Sequence, residues 1–178
     1  MKHALISLLL IFAATHACAQ VDPVRQQVTF RPVTTQTDED GDINRLFITY
    51  VTPDGMENAL VCEMPWPVSP DMFIGGTIEE VDLNFDGNLD FMVFLAYTDG
   101  TGHNPVYEPY IWDVKTHSFI SIPDSPNFVS PFVMPEEKCI VIREITENIA
   151  DYYKYVWKDG KLVNTDKWQD DLNELGKE

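Results

Sequence analysis

The sequence is poor in positive charge, with 12 lysine and arginine residues against 29 aspartate and glutamate residues, and its formal net charge is −17. Proteins that bind nucleic acid present basic surfaces to the phosphates, so this acidity argues against a nucleic-acid partner. It favours cations or basic proteins instead. The chain also lacks the composition of a disordered protein, because 44% of its 178 residues are hydrophobic and 12% are aromatic. That composition can fill the core of one domain.

Long apolar runs are also scarce. Ala4–Ala14 is apolar apart from one serine, but it is shorter than the roughly 20 residues that a membrane-spanning helix needs. The small residues of Ala17-Cys18-Ala19 follow, a pattern typical of a secretory signal peptide, here residues 1–19. Lipid attachment at Cys18 is the less favoured alternative, because Thr15-His16-Ala17 before it lacks the larger aliphatic residue that lipoprotein signals usually carry. We expect a periplasmic or secreted protein without a transmembrane segment.

Cysteine is rare as well. Removal of the signal peptide leaves Cys62 and Cys139 of the three cysteines. Two cysteines in an exported chain predict one disulfide between distant positions. Spacing alone does not establish that two residues meet, so two buried thiols in separate strands remain the alternative.

Helical periodicity is nearly absent, and segments rich in β-branched and aromatic residues recur roughly every 10–20 residues. This spacing favours a mainly β fold, a single antiparallel domain over residues 20–178. Pro53-Asp54-Gly55 predicts a hairpin turn. The predicted strands are Val24–Thr34, Arg45–Val51, Ala59–Met64, Thr77–Asp82, Phe91–Tyr97, Tyr107–Val114, Phe119–Ile122, Cys139–Ile145, Tyr152–Trp157 and Leu162–Val163.

Two other kinds of segment interrupt this series. The proline-rich stretches Pro65-Trp66-Pro67 and Pro123–Pro135 predict loops at the sheet edges. Asp166–Leu175 predicts a short C-terminal helix, because its apolar residues Trp168, Leu172 and Leu175 follow a helical spacing.

One segment carries a pattern of metal ligands. From Asp82 to Asp90 it reads Asp-Leu-Asn-Phe-Asp-Gly-Asn-Leu-Asp, with oxygen-bearing side chains at alternating positions. Calcium takes six to eight oxygen ligands, and Gly87 permits the turn that directs them inward. The sequence therefore predicts a strand–loop–strand calcium site, and a turn without metal is the alternative. The predicted ligands are the side chains of Asp82, Asn84, Asp86 and Asp90 and the carbonyl of Asn88.

The flanks distinguish this segment from an EF-hand. An EF-hand has helices on either side and a bidentate glutamate at position 12, where this sequence has Val93. The arrangement is more similar to the calcium loops of integrin-type FG-GAP repeats.

Catalytic patterns are missing from the sequence. After Ala19 the chain has only two histidines, His103 and His117, and it has no nucleophile-elbow motif. The two histidines stand apart from other zinc ligands. Glu79 and Glu80 are adjacent on a predicted strand and therefore point to opposite faces, unlike a glycosidase carboxylate pair. We expect no enzymatic activity.

A polar, glycine-rich loop, Thr98–Pro105, follows the apolar strand Phe91–Tyr97. Loops held by a rigid sheet often carry recognition residues, and tyrosine offers a large contact area at modest entropic cost. The predicted partner-binding residues are therefore His103, Tyr107 and Tyr110. The alternative is an ordinary hairpin loop whose tyrosines pack on the sheet.

These residues together resemble a family of periplasmic, calcium-binding immunity proteins that inhibit peptidoglycan-cleaving effectors delivered by bacterial secretion systems. That family is related in fold to periplasmic lysozyme inhibitors. The resemblance begins with Val81–Asp90, the counterpart of the family's calcium loop. It continues through Tyr110-Ile111-Trp112-Asp113 and ends with the segment Tyr155–Leu162.

The resemblance implies a structural calcium ion and a steric mechanism of inhibition. The loop around His103 and Tyr107 would enter the cleft of a basic cell-wall hydrolase, which the acidic surface would attract. The competing hypothesis is a calcium-stabilised module of the cell envelope that binds a protein or a glycan and inhibits nothing.

Overall fold

The computed structural model describes residues 28–98, 103–122 and 124–173, and the predicted signal peptide lies outside them. Within these ranges the regular structure is almost entirely β-strand, with one short 3-10 helix at Pro135–Glu137. Each of the ten predicted strands overlaps an observed one. The strands are β1 Thr29–Phe30, β2 Thr34–Thr37, β3 Ile43–Val51, β4 Glu57–Val68, β5 Ile78–Val81, β6 Asp90–Tyr97, β7 Pro105–Asp113, β8 Ser118–Ser121, β9 Phe128–Val129, β10 Pro131–Met134, β11 Cys139–Thr146, β12 Ile149–Lys158 and β13 Lys161–Asp171.

The strands pair antiparallel, as the sequence predicts, and they form three sheets. In the first sheet β3 lies between β4 on one side and β1 and β2 on the other. The predicted hairpin is confirmed, because β3 and β4 pair across the turn at Gly55, where φ is 84°. The second sheet has the order β5-β6-β7-β8, with β9 also paired to β7. The third has the order β10-β11-β12-β13.

One hydrophobic core joins the three sheets. Its fully buried residues include Ile48 of β3, Phe91 of β6 and Ile140 of β11. Aromatic rings pack edge to face at its centre, where the ring centroids of Phe91 and Phe119 lie 4.7 Å apart. The buried Tyr50 hydroxyl accepts a hydrogen bond from the Phe119 amide at 3.0 Å, so this polar atom has a partner.

The predicted C-terminal helix is wrong over the residues described. β13 runs from Lys161 to Asp171 as an edge strand paired with β12. Trp168 stands opposite Tyr152, and the two rings are parallel with centroids 5.1 Å apart. This cross-strand stacking, which a helix would not make, outweighs the helical spacing of the apolar residues.

The prediction of loops at the prolines is wrong in two places. Pro65-Trp66-Pro67 lies inside β4, and Pro131 begins β10. Both strands have only one neighbouring strand among the described residues. Edge strands tolerate proline because the missing amide hydrogen faces away from the ladder.

The predicted disulfide is also wrong in this structure. Cys62 and Cys139 are free and buried, and they belong to different sheets. Cys62 stands opposite Leu46, and burial raises the pKa of its thiol to about 12. Cys139 stands between Met134 and Val156. Each thiol therefore lies in its own sheet, which is the alternative that the sequence left open.

Candidate functional site

The acidic segment forms the loop between β5 and β6. Val81 and Asp90 pair at its base, so the strand–loop–strand arrangement predicted from the sequence is present. Two residues have left-handed backbone angles, Phe85 with φ of 59° and Gly87 with φ of 82°. Glycine adopts this conformation without steric cost, which explains its position here.

Three of the predicted ligands lie together in this loop. Asp82 Oδ1 and Asn84 Oδ1 both accept a hydrogen bond from the Asp86 amide, at 3.2 and 3.0 Å. Asp82 Oδ2 accepts another from the Gly87 amide at 2.8 Å. Asp86 Oδ1 accepts one from the Asn88 amide at 2.7 Å. The side-chain oxygens are therefore turned toward the inside of the loop.

Asp90 ends the loop and connects it to β7. Its side chain is fully buried and accepts hydrogen bonds from the amides of Leu83 at 2.8 Å, Asn84 at 3.2 Å and Trp112 at 2.8 Å. Burial raises the pKa of Asp90 to about 7, although the three amides oppose this shift. Trp157 of β12 donates to the Leu83 carbonyl at 2.7 Å. The loop is thus anchored to two sheets.

The donor set of this loop fits calcium in chemical type. Asp82, Asn84 and Asp86 offer hard oxygen atoms within one small region, and calcium prefers such atoms. In the part of the chain that the structure describes, no three His, Cys, Asp or Glu side chains converge as a metal-binding group. A site here would therefore depend also on the Asn84 amide oxygen and the Asn88 carbonyl. Calcium binding stays a prediction.

The polar loop begins at the opposite end of β6, as the sequence predicts, and its residues 99–102 lie outside the described ranges. Its base is fixed by Asn104, which is 5% exposed. The Asn104 side chain accepts a hydrogen bond from the Ile145 amide at 3.0 Å and donates one to the Ile145 carbonyl at 2.9 Å. Thr98 completes the base, because its amide donates to the Asn104 carbonyl at 2.8 Å.

Asn104 is the residue of this region that sequence reasoning missed. The signal for it was weak, namely an amide side chain between the glycine-rich stretch and Pro105. Its partner Ile145 lies 41 residues further along the chain and could not be found from local pattern. His103, the predicted partner residue next to it, is exposed and has a φ of 41°.

The two predicted tyrosines lie on opposite faces of β7. Tyr107 is half-buried, and its hydroxyl donates a hydrogen bond to Glu79 Oε1 at 2.9 Å. Tyr110 is only 2% exposed and stacks on Phe91 with ring centroids 5.0 Å apart. Tyr110 therefore belongs to the core, and its predicted contact with a partner is corrected. His103 and Tyr107 remain on the accessible side.

A cavity of about 440 Å³ lies beside Tyr107. Its floor consists of buried apolar side chains, and Glu108 of β7 lies in its wall. Sequence reasoning missed this cavity, because its walls come from separate parts of the chain. The lining residues are Glu63, Pro65, Leu95, Val106, Tyr107, Glu108, Ile122, Asp124, Ser125, Pro126, Asn127 and Phe128.

The fold is similar to that of a solved protein described as a Xanthomonas type IV secretion system related protein. The two chains are 17% identical, the match covers 83% of this chain and 79% of the other, and the TM-score is 0.54. At that identity the likeness concerns the fold alone. No family model and no curated protein sequence matches this chain. Among its described residues no helix has the length and apolar character needed to cross a membrane.

Proposed function

We propose that this chain is an exported, calcium-binding protein that inhibits a peptidoglycan hydrolase by blocking its cleft. The observation that carries the proposal is the fixed base of the polar loop, where Asn104 bonds both backbone groups of Ile145. Residues that are held in place before binding lose little conformational freedom when they bind, which favours affinity, and Thr98 and Asn104 are held in this way. His103 is exposed next to that base and would make the contact with the enzyme.

Two further observations support this proposal. The sequence resembles immunity proteins whose targets are delivered by bacterial secretion systems, and the solved protein of similar fold is described as related to one such system. The net charge of −17 would attract a basic enzyme and accelerate association. Cell-wall hydrolases are often basic because their substrate is anionic.

Calcium would bind in the loop between β5 and β6, through the side chains of Asp82, Asn84, Asp86 and Asp90 and the carbonyl of Asn88. Its positive charge would offset the repulsion among the three carboxylates. The loop adjoins β6, whose other end carries the polar loop. The ion would therefore stabilise the strand that supports the contact region, without touching the enzyme.

The test is lysis of peptidoglycan by a panel of muramidases, with and without the mature protein, in calcium. Stoichiometric inhibition of at least one enzyme is the expected result. His103→Asn should weaken it about tenfold or more, because hot-spot residues dominate such contacts. The matched control is His117→Asn, since His117 is also exposed with a positive φ of 53° but follows the other end of β7. Equal effects of both variants would contradict the proposed contact region.

A second candidate is a calcium-stabilised envelope module that binds glycan without inhibiting an enzyme. The exposed aromatic pair on the third sheet favours it, because Trp168 is 38% exposed and stacks on Tyr152. Flat aromatic faces offer apolar area together with a polar edge. Sedimentation with insoluble peptidoglycan that is lost in Trp168→Ala, with no inhibition across the panel, would favour this candidate.

A further inference from the structure

Glu108 occupies an unusual position on β7. Its neighbours at alternating positions, Val106, Tyr110 and Trp112, are all buried, between 2% and 9% exposed. Side chains of a strand alternate between its two faces, so Glu108 shares the core side with these three residues. It also lies close enough to Cys62 of β4 to raise the pKa of that thiol, after the larger effect of burial. A carboxylate therefore stands at the edge of the core, between two sheets.

Glu108 has no ion-pair partner among the described residues, whereas the other acids of the cavity do. Glu63 Oε1 lies 2.8 Å from Arg45 Nε, and Asp124 Oδ2 lies 2.8 Å from Lys161 Nζ. A half-buried carboxylate without a cation is costly, and burial raises the pKa of Glu108 above its ordinary value of 4.5. The site is thus arranged for a positive charge that the described residues do not supply.

The lining of the cavity beside Glu108 suits a long basic side chain. Its floor is apolar, formed by Leu95, Val106, Ile122 and Phe128, which are at most 8% exposed. Lysine and arginine combine an apolar stem with a charged end, and they bury the stem where apolar surface is available. A volume of about 440 Å³ has room for one such side chain.

We propose that this cavity receives a lysine or arginine side chain of the hydrolase, with the stem on the apolar floor and the charge on Glu108. The inference rests on the proposed function and adds the chemistry of a second contact. Glu108 lies four residues after Asn104 along the chain, which is roughly 13 Å for an extended backbone. An interface of ordinary size, about 800 Å² on each partner, spans that distance. A basic enzyme also complements the acidity of this chain.

The cavity is tested first without any enzyme. The ¹⁵N-labelled mature protein is titrated with Nα-acetyl-arginine methylamide and with its uncharged citrulline analogue. We expect saturable shifts of the Val106, Tyr107 and Glu108 amides with the arginine compound only. Glu108→Gln should abolish them, while the control Glu136→Gln, an exposed acid on the 3-10 helix, should keep them. Shifts that persist in Glu108→Gln, or that appear equally with citrulline, overturn the proposal.

The second measurement uses an enzyme that the wild-type protein inhibits. Glu108→Gln should weaken inhibition about tenfold or more, and Glu136→Gln by less than about twofold. Asn127→Arg, at the exposed rim of the cavity, supplies a competing guanidinium and should weaken inhibition while keeping Glu108. Full inhibition by Glu108→Gln would overturn this contact and leave the proposed function intact. Binding of the arginine compound without inhibition of any enzyme would support the cation site and contradict the inhibitor function.

Discussion

The two ends of β6 differ in how their loops are held. The loop before it, residues 82–89, bonds its own amides with Asp82, Asn84 and Asp86 and is tied to β7 by Asp90. The loop after it is fixed at its base, where Asn104 meets Ile145. The acidic loop is therefore bonded along its length, whereas the described part of the polar loop is bonded at Thr98 and Asn104. His103, next to that base, is exposed, and residues on loops that a rigid sheet supports are often the ones that bind partners.

Asp90→Ala should produce the largest effect, because it removes the acidic loop's connection to β7. The substitution leaves three amides, two of them buried, without their acceptor, so we expect a loss of about 3–5 kcal/mol in the free energy of unfolding. Urea denaturation in EDTA measures this loss without any contribution from metal. The control is Asp86→Ala, at an exposed carboxylate of the same loop, and it should cost less than about 1 kcal/mol. Equal losses in the two variants would show that Asp90 stabilises this end of β6 no more than Asp86 does.

Calcium should stabilise the same acidic loop before β6. Millimolar calcium is expected to raise the melting temperature of the wild-type protein, by the equivalent of about 2.7 kcal/mol at a hundredfold excess over Kd. Asp86→Ala should abolish the rise, and Asp40→Ala, in the exposed acidic turn before β3, should preserve it. Differential scanning fluorimetry is sufficient. A wild-type melting temperature that does not move would show that the metal assignment is wrong.

Local sequence was enough to predict the acidic loop before β6, but it did not predict how the base of the polar loop after β6 is held. The alternation of oxygen side chains around Gly87 predicted the acidic loop, since the amides of Asp86, Gly87 and Asn88 bond to side chains within the same loop. The base of the polar loop depends on Ile145, and β13 depends on the stacking of Trp168 on Tyr152. Those contacts arise when distant strands pair, so a pattern within one segment does not reveal them.

Asn104→Ala should release the polar loop and leave the acidic loop unchanged. Two side-chain hydrogen bonds to a partly buried backbone disappear, so a loss of about 1–3 kcal/mol in the free energy of unfolding is expected. Inhibition should weaken as well, while the calcium-dependent rise in melting temperature remains. Hydrogen exchange at the Ile145 amide reports the loss directly. Asn164→Ala, at an exposed asparagine of β13, is the control, and unchanged exchange at Ile145 in Asn104→Ala would refute the role of this contact.

The smallest expected effect is a pH-dependent change in stability at Glu108 of β7, the strand that follows the polar loop. Its pKa is raised by burial from 4.5, so the folded state binds the proton more strongly than the unfolded state does. Stability is then lost as the pH rises from 4.5 through the higher folded pKa, and it stays constant above that. Glu108→Gln removes this loss, so the variant should exceed the wild type slightly in urea midpoint at pH 7 and equal it below pH 4. Glu136→Gln should show no such pH-dependent difference. A gain in stability from removing Glu108, together with weaker inhibition, would mean that this carboxylate is retained for binding at a cost to the fold.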